Sequence, residues 1–547
     1  MDLKLLNLVW ALPRIVFFAA TSIAFIIILQ HADLFVDSYA MMMVFSHDES
    51  DQVQRMVRLI QNNTLDTGGF IEGFYSYGQV YPTIVFWSNR FISLITAEPS
   101  TFQQVAMSMK VVSATFFAGS VLLLNQLLQL LGVDRVIAAG ASLVLLVFPD
   151  FFNWGTKVHP DTVQMFTLIA PIYLMARVKD VYLAAILAAF VAGVSFGTKY
   201  SGVFLAILVG CFVYLNIFFQ AKEKRQLTPL INRLIIHSTL PVLSFVIGWL
   251  LFNPYVLAHF PKFFDEVTNQ VDYLKFGVGQ TLDTNSFEWF SIYANQFGIF
   301  VSAMLSAGFL TAVCVTVNQY WKSKVPTSSV ILLTALIVYF FGALLYLMLT
   351  VKYREVRYAY QVFVPFLVLA AFGLEQITRS FLVFSKGFQR GASLSLFLMF
   401  LLALTPTFLK NIALVDAVSS DKTANEVIAA GKWLESEYST DHMVLAGTYS
   451  YVPENHFYRT VFSYDVNQAE IDRYRPDLLV MNVSVPGRYI WKNEGSIFKD
   501  ANFIQSGSWV DKEMMEAYSK FFERLTTNQL PYRLVYEADD VLVFERN

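Results

Sequence analysis

The feature that most constrains this chain is a series of apolar blocks, most of them about 18 to 25 residues long. A helix needs about 20 predominantly apolar residues to cross the hydrocarbon core of a bilayer, which is about 30 Å thick. Such blocks lie at about 5–29, 103–131, 135–150, 161–177, 181–198, 200–219, 234–252, 290–319, 328–350, 358–379 and 391–409. The sequence therefore predicts a polytopic α-helical membrane protein with about 11 transmembrane helices.

Composition agrees with this fold class and gives no sign of a nucleic-acid partner. Hydrophobic residues make up 56% of the 547 residues and charged residues only 15%, whereas a soluble protein carries about 25%. The net charge is -3 and no basic tract is present, so nucleic acid is not a predicted partner. The two cysteines, Cys211 and Cys314, both lie in apolar blocks, and we expect them to be small core residues rather than a disulfide.

Loop charges predict the orientation of the helices, because cytoplasmic loops are enriched in Lys and Arg. With the amino terminus inside, the inside connections hold Arg135, Arg177, Lys179, Lys222, Lys224, Arg225, Arg233, Lys322, Lys324, Arg379, Lys386 and Arg390. The outside connections instead hold Asp48, Glu49, Asp51, Asp66, Asp150, Asp161, Asp265, Glu266 and Asp272. Long outside loops are expected at about 31–102 and 253–289, and an odd number of spans places the carboxy terminus outside. Within the first loop, the apolar piece Val80–Ile95 is interrupted by Pro82 and Arg90 and is not expected to span.

The sequence divides into a membrane part, residues 1–410, and a soluble part, residues 411–547, with ordinary globular composition. In the soluble part, Thr423–Glu435 has the apolar spacing of an amphipathic helix. Met443–Ala446 and Asp477–Met481 are typical of buried strands, and Arg533–Glu537 with Val541–Glu545 of a hairpin. We therefore expect a small extracytoplasmic α/β domain.

An acidic pair, Asp48-Glu49, lies in the first outside loop. Carboxylates at a membrane surface can take a proton from an acceptor or hold a divalent cation. A structural alternative remains open for Glu49, since Ser46 and Glu49 have the spacing of a helix-capping box. Asp51 and Arg55 are spaced as an ordinary i,i+4 ion pair.

A second polar group, Lys157-Val158-His159-Pro160-Asp161, precedes the fourth span. His159 and Asp161, two residues apart on a turn set by Pro160, suit a metal ion or a diphosphate-like group. The alternative is that Asp161 only caps the next helix, with Pro160 near its start.

Two further groups are basic. Lys199 lies between two apolar blocks, flanked by Gly197 and Gly202, where it must either snorkel to water or meet an anion. The segment Lys352–Tyr358 places Arg354 and Arg357 on the predicted outside, against the usual charge bias. An arginine fork suits a bound phosphate, although lipid headgroups are an alternative partner.

Several short motifs occur in one order along nearly the whole chain. They are Asp48-Glu49, Tyr77–Pro82, Gly197–Ser201, Arg357-Tyr358 with Pro365, Trp433, Tyr451-Val452-Pro453 and Arg475–Val480. In this order they resemble the GT-C glycosyltransferases, in particular the branch of protein O-mannosyltransferases and lipid A aminoarabinose transferases. His47 before the acidic pair departs from the pattern of many members and leaves the identity of the acceptor open.

The resemblance implies transfer of a sugar from a polyprenyl-phosphate donor to a lipid, glycan or protein acceptor, at the non-cytoplasmic face of a bacterial-type inner membrane. The implied catalytic residues are Asp48, as general base, and Glu49. The implied donor phosphate-binding residues are Lys199, Arg354, Arg357 and Tyr358. The implied site-lining residues are Tyr77, Tyr81, His159, Asp161 and Tyr200, and a divalent cation at Asp48, His159 or Asp161 stays open.

Other functional classes make different predictions. A transporter or flippase of a lipid-linked substrate predicts charges deep within the spans and repeated halves, whereas the ionisable groups here cluster at one face. A scaffold or receptor leaves the combination of Asp48, Lys199 and Arg357 unexplained.

For the glycosyltransferase, we expect a single inverting displacement, with a mobile loop around Gly277 and Gly279 closing over the site.

Overall fold

The computed structural model describes most of the chain. The described residues are 3–66, 78–96, 100–224, 228–276, 287–323, 326–351, 355–380, 386–418, 422–463, 466–482, 512–538 and 541–547. Helices dominate the first 418 residues, and the five described strands all follow them.

The amino-terminal half contains eleven α-helices within the described residues. They are α1 (Leu3–Gln30), α2 (Tyr39–Phe45), α3 (His47–Gln61), α4 (Val80–Thr96), α5 (Phe102–Leu130), α6 (Arg135–Leu146), α7 (Pro149–Gly155), α8 (Asp161–Arg177), α9 (Val181–Thr198), α10 (Phe204–Lys224) and α11 (Thr228–Phe252). A 3-10 turn, Tyr200–Val203, separates α9 from α10.

The second half of the bundle continues with five further helices. They are α12 (Phe260–Phe276), α13 (Glu288–Lys322), α14 (Ser328–Thr350), α15 (Tyr360–Ser380) and α16 (Lys386–Val418). A 3-10 turn, Val356–Ala359, leads into α15.

The prediction of a polytopic membrane protein is confirmed. Eight helices of the described chain are long and apolar enough to span a bilayer, and the bent pair α6–α7 would make nine. The apolar part of α11, His237–Phe252, and α8 with 17 residues are shorter than the 18-residue spans. The count of 11 spans therefore stays a prediction.

One predicted span is bent, and one predicted loop is wrong in detail. The predicted span at 135–150 is two helices that meet at an angle of 68°, because Pro149 has no amide hydrogen and begins a new helix. The loop predicted at 253–289 is largely helical, since it contains the turn Pro254–Val256 and α12. Gly277 and Gly279, expected in a mobile part of that loop, lie outside the described residues.

Glycines allow two pairs of helices to pack at backbone contact. A Cβ atom on Gly193 of α9 would lie 2.0 Å from the Phe245 carbonyl oxygen of α11. A Cβ atom on Gly373 of α15 would lie 1.7 Å from the carbonyl oxygen of Gly308 in α13. Small residues at such crossings are typical of membrane bundles, in which tight packing drives association.

The carboxy-terminal part forms a five-stranded sheet with order β2-β1-β3-β5-β4. Its elements are α17 (Lys422–Glu437), β1 (Met443–Gly447), β2 (Arg459–Ser463), α18 (Gln468–Tyr474), β3 (Leu478–Asn482), α19 (Lys512–Thr526), β4 (Tyr532–Ala538) and β5 (Val541–Arg546). Strand β1 is parallel to β2 and β3, and β5 is antiparallel to β3 and β4. The expected helix, two buried strands and terminal hairpin are all present; β2, α18 and α19 were not predicted.

Helix α2 connects this sheet domain to the first loop. The backbone amide of Ala40 donates a hydrogen bond of 3.1 Å to Glu454 Oε1. Val44 is buried in the same apolar cluster as Val427 of α17. The ring of Tyr39 meets that of Phe462 edge to face, with centroids 5.5 Å apart. Helix α2 and the sheet domain are therefore packed against each other, and α3 follows α2 directly.

Candidate functional site

Asp161 is the centre of a buried polar cluster. Its side chain is 0% exposed. Its Oδ1 atom accepts a hydrogen bond of 2.7 Å from Lys199 Nζ, and its Oδ2 atom lies 2.6 Å from His159 Nδ1. Lys199 does not snorkel to water, because its partner is a carboxylate within the bundle.

Helix ends bring these residues together. Asp161 is the first residue of α8, and Lys199 directly follows the last residue of α9, so the antiparallel pair places them at one end of the bundle. Each charge has the sign that its helix end favours. The alternative that Asp161 caps α8 is not what the structure shows, since Pro160 occupies the N-cap position without a side-chain hydrogen bond.

Arg357 joins the cluster from the 3-10 turn before α15. Its Nη1 atom donates to His159 Nε2 at 3.2 Å and lies 4.0 Å from Asp161 Oδ2, and its Nε atom pairs with Glu355. Because His159 Nε2 accepts, the imidazole proton is on Nδ1, facing Asp161. Burial lowers the pKa of His159, which agrees with a neutral ring.

Two aromatic side chains hold the cations. Lys199 Nζ lies 4.8 Å from the ring centre of Tyr358, and Arg357 Cζ lies 5.3 Å from it. Trp154 contacts Arg357 Cζ at 4.8 Å and packs on the His159 ring with centroids 4.3 Å apart. Lys157 Nζ lies 5.4 Å from the same indole. The sequence predicted Tyr358 as a site residue but not Trp154. The only signal for Trp154 in the sequence is its position between Asp150 and Lys157.

Asp150 and Tyr360 are a second contact that the sequence did not reveal. The Tyr360 hydroxyl donates a hydrogen bond of 2.7 Å to Asp150 Oδ2. Asp150 is at the start of α7 and Tyr360 is the first residue of α15. The contact ties the bend between α6 and α7 to the turn that carries Arg357.

The acidic pair of the first loop has two different environments. Glu49 is 7% exposed, and its Oε2 atom accepts a hydrogen bond of 2.7 Å from the Val158 amide. Ser46 Oγ accepts from the Glu49 amide at 3.4 Å, so Ser46 caps α3, but the Glu49 carboxylate binds the loop before α8. Asp48, in the first turn of α3, is exposed. The expected ion pair of Asp51 with Arg55 is present at 2.8 Å.

The remaining predicted site residues are placed as follows. Tyr81 is buried, and its hydroxyl donates to the Met109 carbonyl at 2.8 Å, so it packs between helices. Tyr77 and Arg354 lie outside the described residues. A Cβ atom on Gly78 would lie 1.7 Å from the Gly197 carbonyl oxygen. Two of the sequence motifs therefore touch at backbone distance.

Two cavities lie near the cluster. One of about 560 Å³, called here the polar cavity, has apolar walls and the polar side chains of Ser46, Glu49, Lys110, Asp150, Lys157 and Gln296 in its lining, among others. A mainly apolar cavity of about 300 Å³ is lined by Lys199, Tyr200, Phe204, Val271, Tyr346 and Tyr358, among others. Lys199 and Tyr358 thus stand between the buried cluster and an apolar cavity.

The His159 and Asp161 pair does not fit the suggested metal site. Both imidazole nitrogens of His159 are engaged, one with Arg357 and one with Asp161, so no lone pair is left for a metal. Two cations border the same carboxylate. Among the described residues, no group of three or more His, Cys, Asp or Glu side chains could hold a metal ion.

Comparisons with known proteins agree with this architecture. The family model described as dolichyl-phosphate-mannose-protein mannosyltransferase matches residues 17–264. Among functionally curated proteins, none matches the sequence.

Two solved structures share the fold over nearly the whole chain. ArnT from Cupriavidus metallidurans bound to undecaprenyl phosphate has a TM-score of 0.56 and 9% identity, covering 96% of this chain and 97% of that one. The oligosaccharyltransferase AglB from Archaeoglobus fulgidus, in complex with an inhibitory peptide and a dolichol-phosphate, has a TM-score of 0.53 and 11% identity, covering 96% and 79%. The chain therefore has the GT-C fold, and the resemblance inferred from its motifs is confirmed.

Proposed function

We propose that this protein is a glycosyltransferase that moves a sugar from a polyprenyl-phosphate donor to an acceptor at the non-cytoplasmic face of a membrane. The observation that carries the proposal is the convergence of Lys199 and Arg357, from distant parts of the sequence, beside an apolar cavity. A lipid phosphate needs both features at one place, because it joins an anionic group to a hydrocarbon chain.

The donor phosphate would bind between Lys199 and Arg357. Both are held in place by carboxylates, Lys199 by Asp161 and Arg357 by Glu355. Lysine has three donor hydrogens and arginine five, so their carboxylate contacts do not exhaust their capacity for phosphate oxygens. The first isoprene units would occupy the apolar cavity. ArnT with undecaprenyl phosphate and AglB with dolichol-phosphate support this class of ligand.

The polar cavity would receive the sugar and the acceptor. Glu49 lines it, while Asp48 is the exposed neighbour at the same end of α3. Because Glu49 binds the Val158 amide, it positions α3 against the loop that carries His159. Asp150, which also lines the cavity, accepts a hydrogen bond from Tyr360, so Asp48 is the carboxylate that we assign to take a proton.

The proposed reaction is one displacement. Asp48 takes the acceptor proton, the acceptor oxygen or nitrogen bonds to the anomeric carbon, and the bond from that carbon to the phosphate oxygen breaks. The electron pair of the broken bond stays on the departing lipid phosphate, where Lys199 and Arg357 stabilise the developing charge. Attack opposite the leaving group inverts the anomeric centre.

Orientation follows from the loop charges. The Asp161 cluster lies at the end of the bundle whose loops are acidic, which is the outside by the positive-inside rule. The sheet domain contacts α2 at this same end, and would thus lie in the periplasm of an inner-membrane protein.

The test uses the purified protein in lipid with radiolabelled polyprenyl-phosphate sugars, measuring binding and turnover separately. We expect Asp48→Asn to abolish turnover and keep donor binding, and Lys199→Met to weaken binding. Asp51→Asn, three residues further along α3 and engaged with Arg55, is the matched control and should keep wild-type turnover.

Two results would contradict the proposal. Full turnover by Asp48→Asn would exclude its role as the base. If the purified protein neither binds nor turns over any polyprenyl-phosphate sugar, the transport alternative is favoured instead.

A further inference from the structure

A basic cleft lies at the end of the bundle opposite the Asp161 cluster. We define this basic cleft by Arg14 of α1, Arg135 at the start of α6 and Arg390 near the start of α16. The three arginines come from distant parts of the sequence and surround one open cavity of about 1020 Å³. Gln389 and Ser393 line the same cavity. One guanidinium group can donate two parallel hydrogen bonds to the oxygens of a phosphate. The cleft therefore suits an anionic, phosphate-bearing ligand.

The single carboxylate in the lining does not cancel this charge. Asp134 is the N-cap of α6, and its side chain accepts a hydrogen bond of 2.9 Å from the Val136 amide. Its charge is thus directed at the positive end of its own helix. Three arginines against one aspartate leave the lining with a net charge of about +2.

The position of the cleft is that of a second membrane interface. Arg390 and Asn411 lie on the same helix, α16, and 21 residues at 1.5 Å per residue separate them by about 32 Å. Asn411 lines the polar cavity of the candidate site, and so does His31, which directly follows α1. The cleft is therefore about one hydrocarbon thickness away from that site.

An apolar strip leads away from the cleft along α1. Ile15, Phe18 and Ile26 are 54%, 54% and 51% exposed and, at about 100° per residue, lie within about 80° of one another on the helix. Ile15 and Phe18 also line the cleft itself. The arginines that suit an anionic headgroup and the apolar side chains that suit an acyl chain therefore lie next to each other.

The geometry points to a binding site for an anionic phospholipid, with its phosphodiester between Arg14, Arg135 and Arg390 and an acyl chain along the exposed face of α1. The site is separate from the proposed donor site and does not depend on it. A bound lipid connects α1, α6 and α16, and the opposite ends of these helices lead to the polar cavity and to α7.

The test is native mass spectrometry of the full-length, delipidated protein titrated with phosphatidylglycerol or with phosphatidylcholine of the same acyl chains. An arginine near an anionic lipid surface changes affinity about fivefold. We expect wild-type protein to prefer phosphatidylglycerol by at least about tenfold. The triple variant Arg14→Gln, Arg135→Gln, Arg390→Gln should lose that preference, and the corresponding triple Arg→Lys variant should keep most of it.

The matched control is Arg177→Gln, Lys179→Gln, Lys322→Gln, which removes three cations from the same end of the bundle but outside the cleft. It should keep the wild-type preference. An equal loss in this control would show general attraction to anionic lipid and overturn the site, as would an unchanged preference in the Arg→Gln triple. Binding of glycerol phosphate or inorganic phosphate as tight as that of the lipid would show a soluble ligand instead. Each variant is first checked for a monodisperse elution profile. If the Gln triple does not fold, the single variant Arg14→Gln takes its place; it should lower the preference about fivefold, and an unchanged preference would overturn the site.

Discussion

Removal of the Asp161 charge should destabilise the protein far more than removal of an exposed carboxylate. Asp161 is 0% exposed and contacts Lys199 and His159 at 2.7 and 2.6 Å. Asp161→Asn leaves Lys199, with 9% of its side chain exposed, as a buried cation without its counter-charge. Breaking a buried pair in this way lowers the free energy of unfolding by about 3 to 5 kcal/mol. Asp51→Asn, which breaks a partly exposed i,i+4 pair with Arg55, should change it by less than about 1 kcal/mol.

The decisive comparison is with a double variant. Replacing both members of a buried ion pair by apolar residues is often neutral, because no charge is then left desolvated. We expect Asp161→Leu with Lys199→Met to recover at least half of the stability that Asp161→Asn loses. Donor binding should stay weak in the double variant, since the phosphate has lost Lys199.

The assay is thermal unfolding in one detergent at one scan rate, because unfolding of such a protein is irreversible and the midpoint then depends on the rate of heating. A loss of 3 to 5 kcal/mol should lower the midpoint by several degrees, given about 2 to 4 °C per kcal/mol in mid-sized domains. Equal midpoints for Asp161→Asn and Asp51→Asn would refute the reasoning. So would a double variant as unstable as the sum of Asp161→Asn and Lys199→Met.

Three further predictions test the surrounding contacts. Gly78→Ala should disrupt the first loop and lower the unfolding midpoint, since its Cβ would lie 1.7 Å from a carbonyl oxygen. Gly342→Ala has nothing within 4 Å of the added Cβ and should raise the midpoint by removing a flexible helix residue. Burial lowers the pKa of His159. The stability that the neutral imidazole contributes should therefore be full above its ordinary pKa of about 6.5 and be lost as the pH falls from there towards the pKa of the folded state. The unfolding midpoint of His159→Asn should lack this pH dependence. Glu49→Gln can still accept the hydrogen bond that the Val158 amide donates at 2.7 Å, and it should keep most donor turnover. Glu49→Ala leaves that buried amide unpaired, so it should reduce turnover and lower the unfolding midpoint. Equal turnover in the two variants would contradict the positioning role of Glu49.

Periodic patterns predicted the elements whose apolar faces alone decide their structure. The long spans and the hairpin of Tyr532–Ala538 with Val541–Arg546 follow from runs of apolar residues and from alternation. The break at Pro149 was missed because the block around it is apolar on both sides, so composition continues across a bend that proline geometry imposes. Strand β2, Arg459–Ser463, was missed because it is a half-exposed edge strand with no strong apolar pattern.

The site could be predicted as a set of residues but not as a set of contacts. Loop position and charge indicated His159, Asp161, Lys199 and Arg357, which the structure brings into one cluster. Sequence spacing could not show which carboxylate neutralises which cation, because 38 residues separate Asp161 from Lys199. That pairing depends on how α8 packs against α9, and it is the reason that the metal interpretation of His159 and Asp161 fails.

The position of Asp48 depends on both parts of the molecule. On one side, Glu49 binds the Val158 amide and so fixes α3 to the loop of the buried cluster. On the other side, Ser46 caps α3 and ends α2, which is packed against the sheet domain through Val44 and Glu454. A displacement of the sheet domain would therefore shift α2 and, through Ser46, the first turn of α3. The carboxylate proposed as the base is thus positioned by a domain that contributes neither Lys199 nor Arg357. We therefore expect a variant whose sheet domain is unfolded to lose transfer and to keep donor binding.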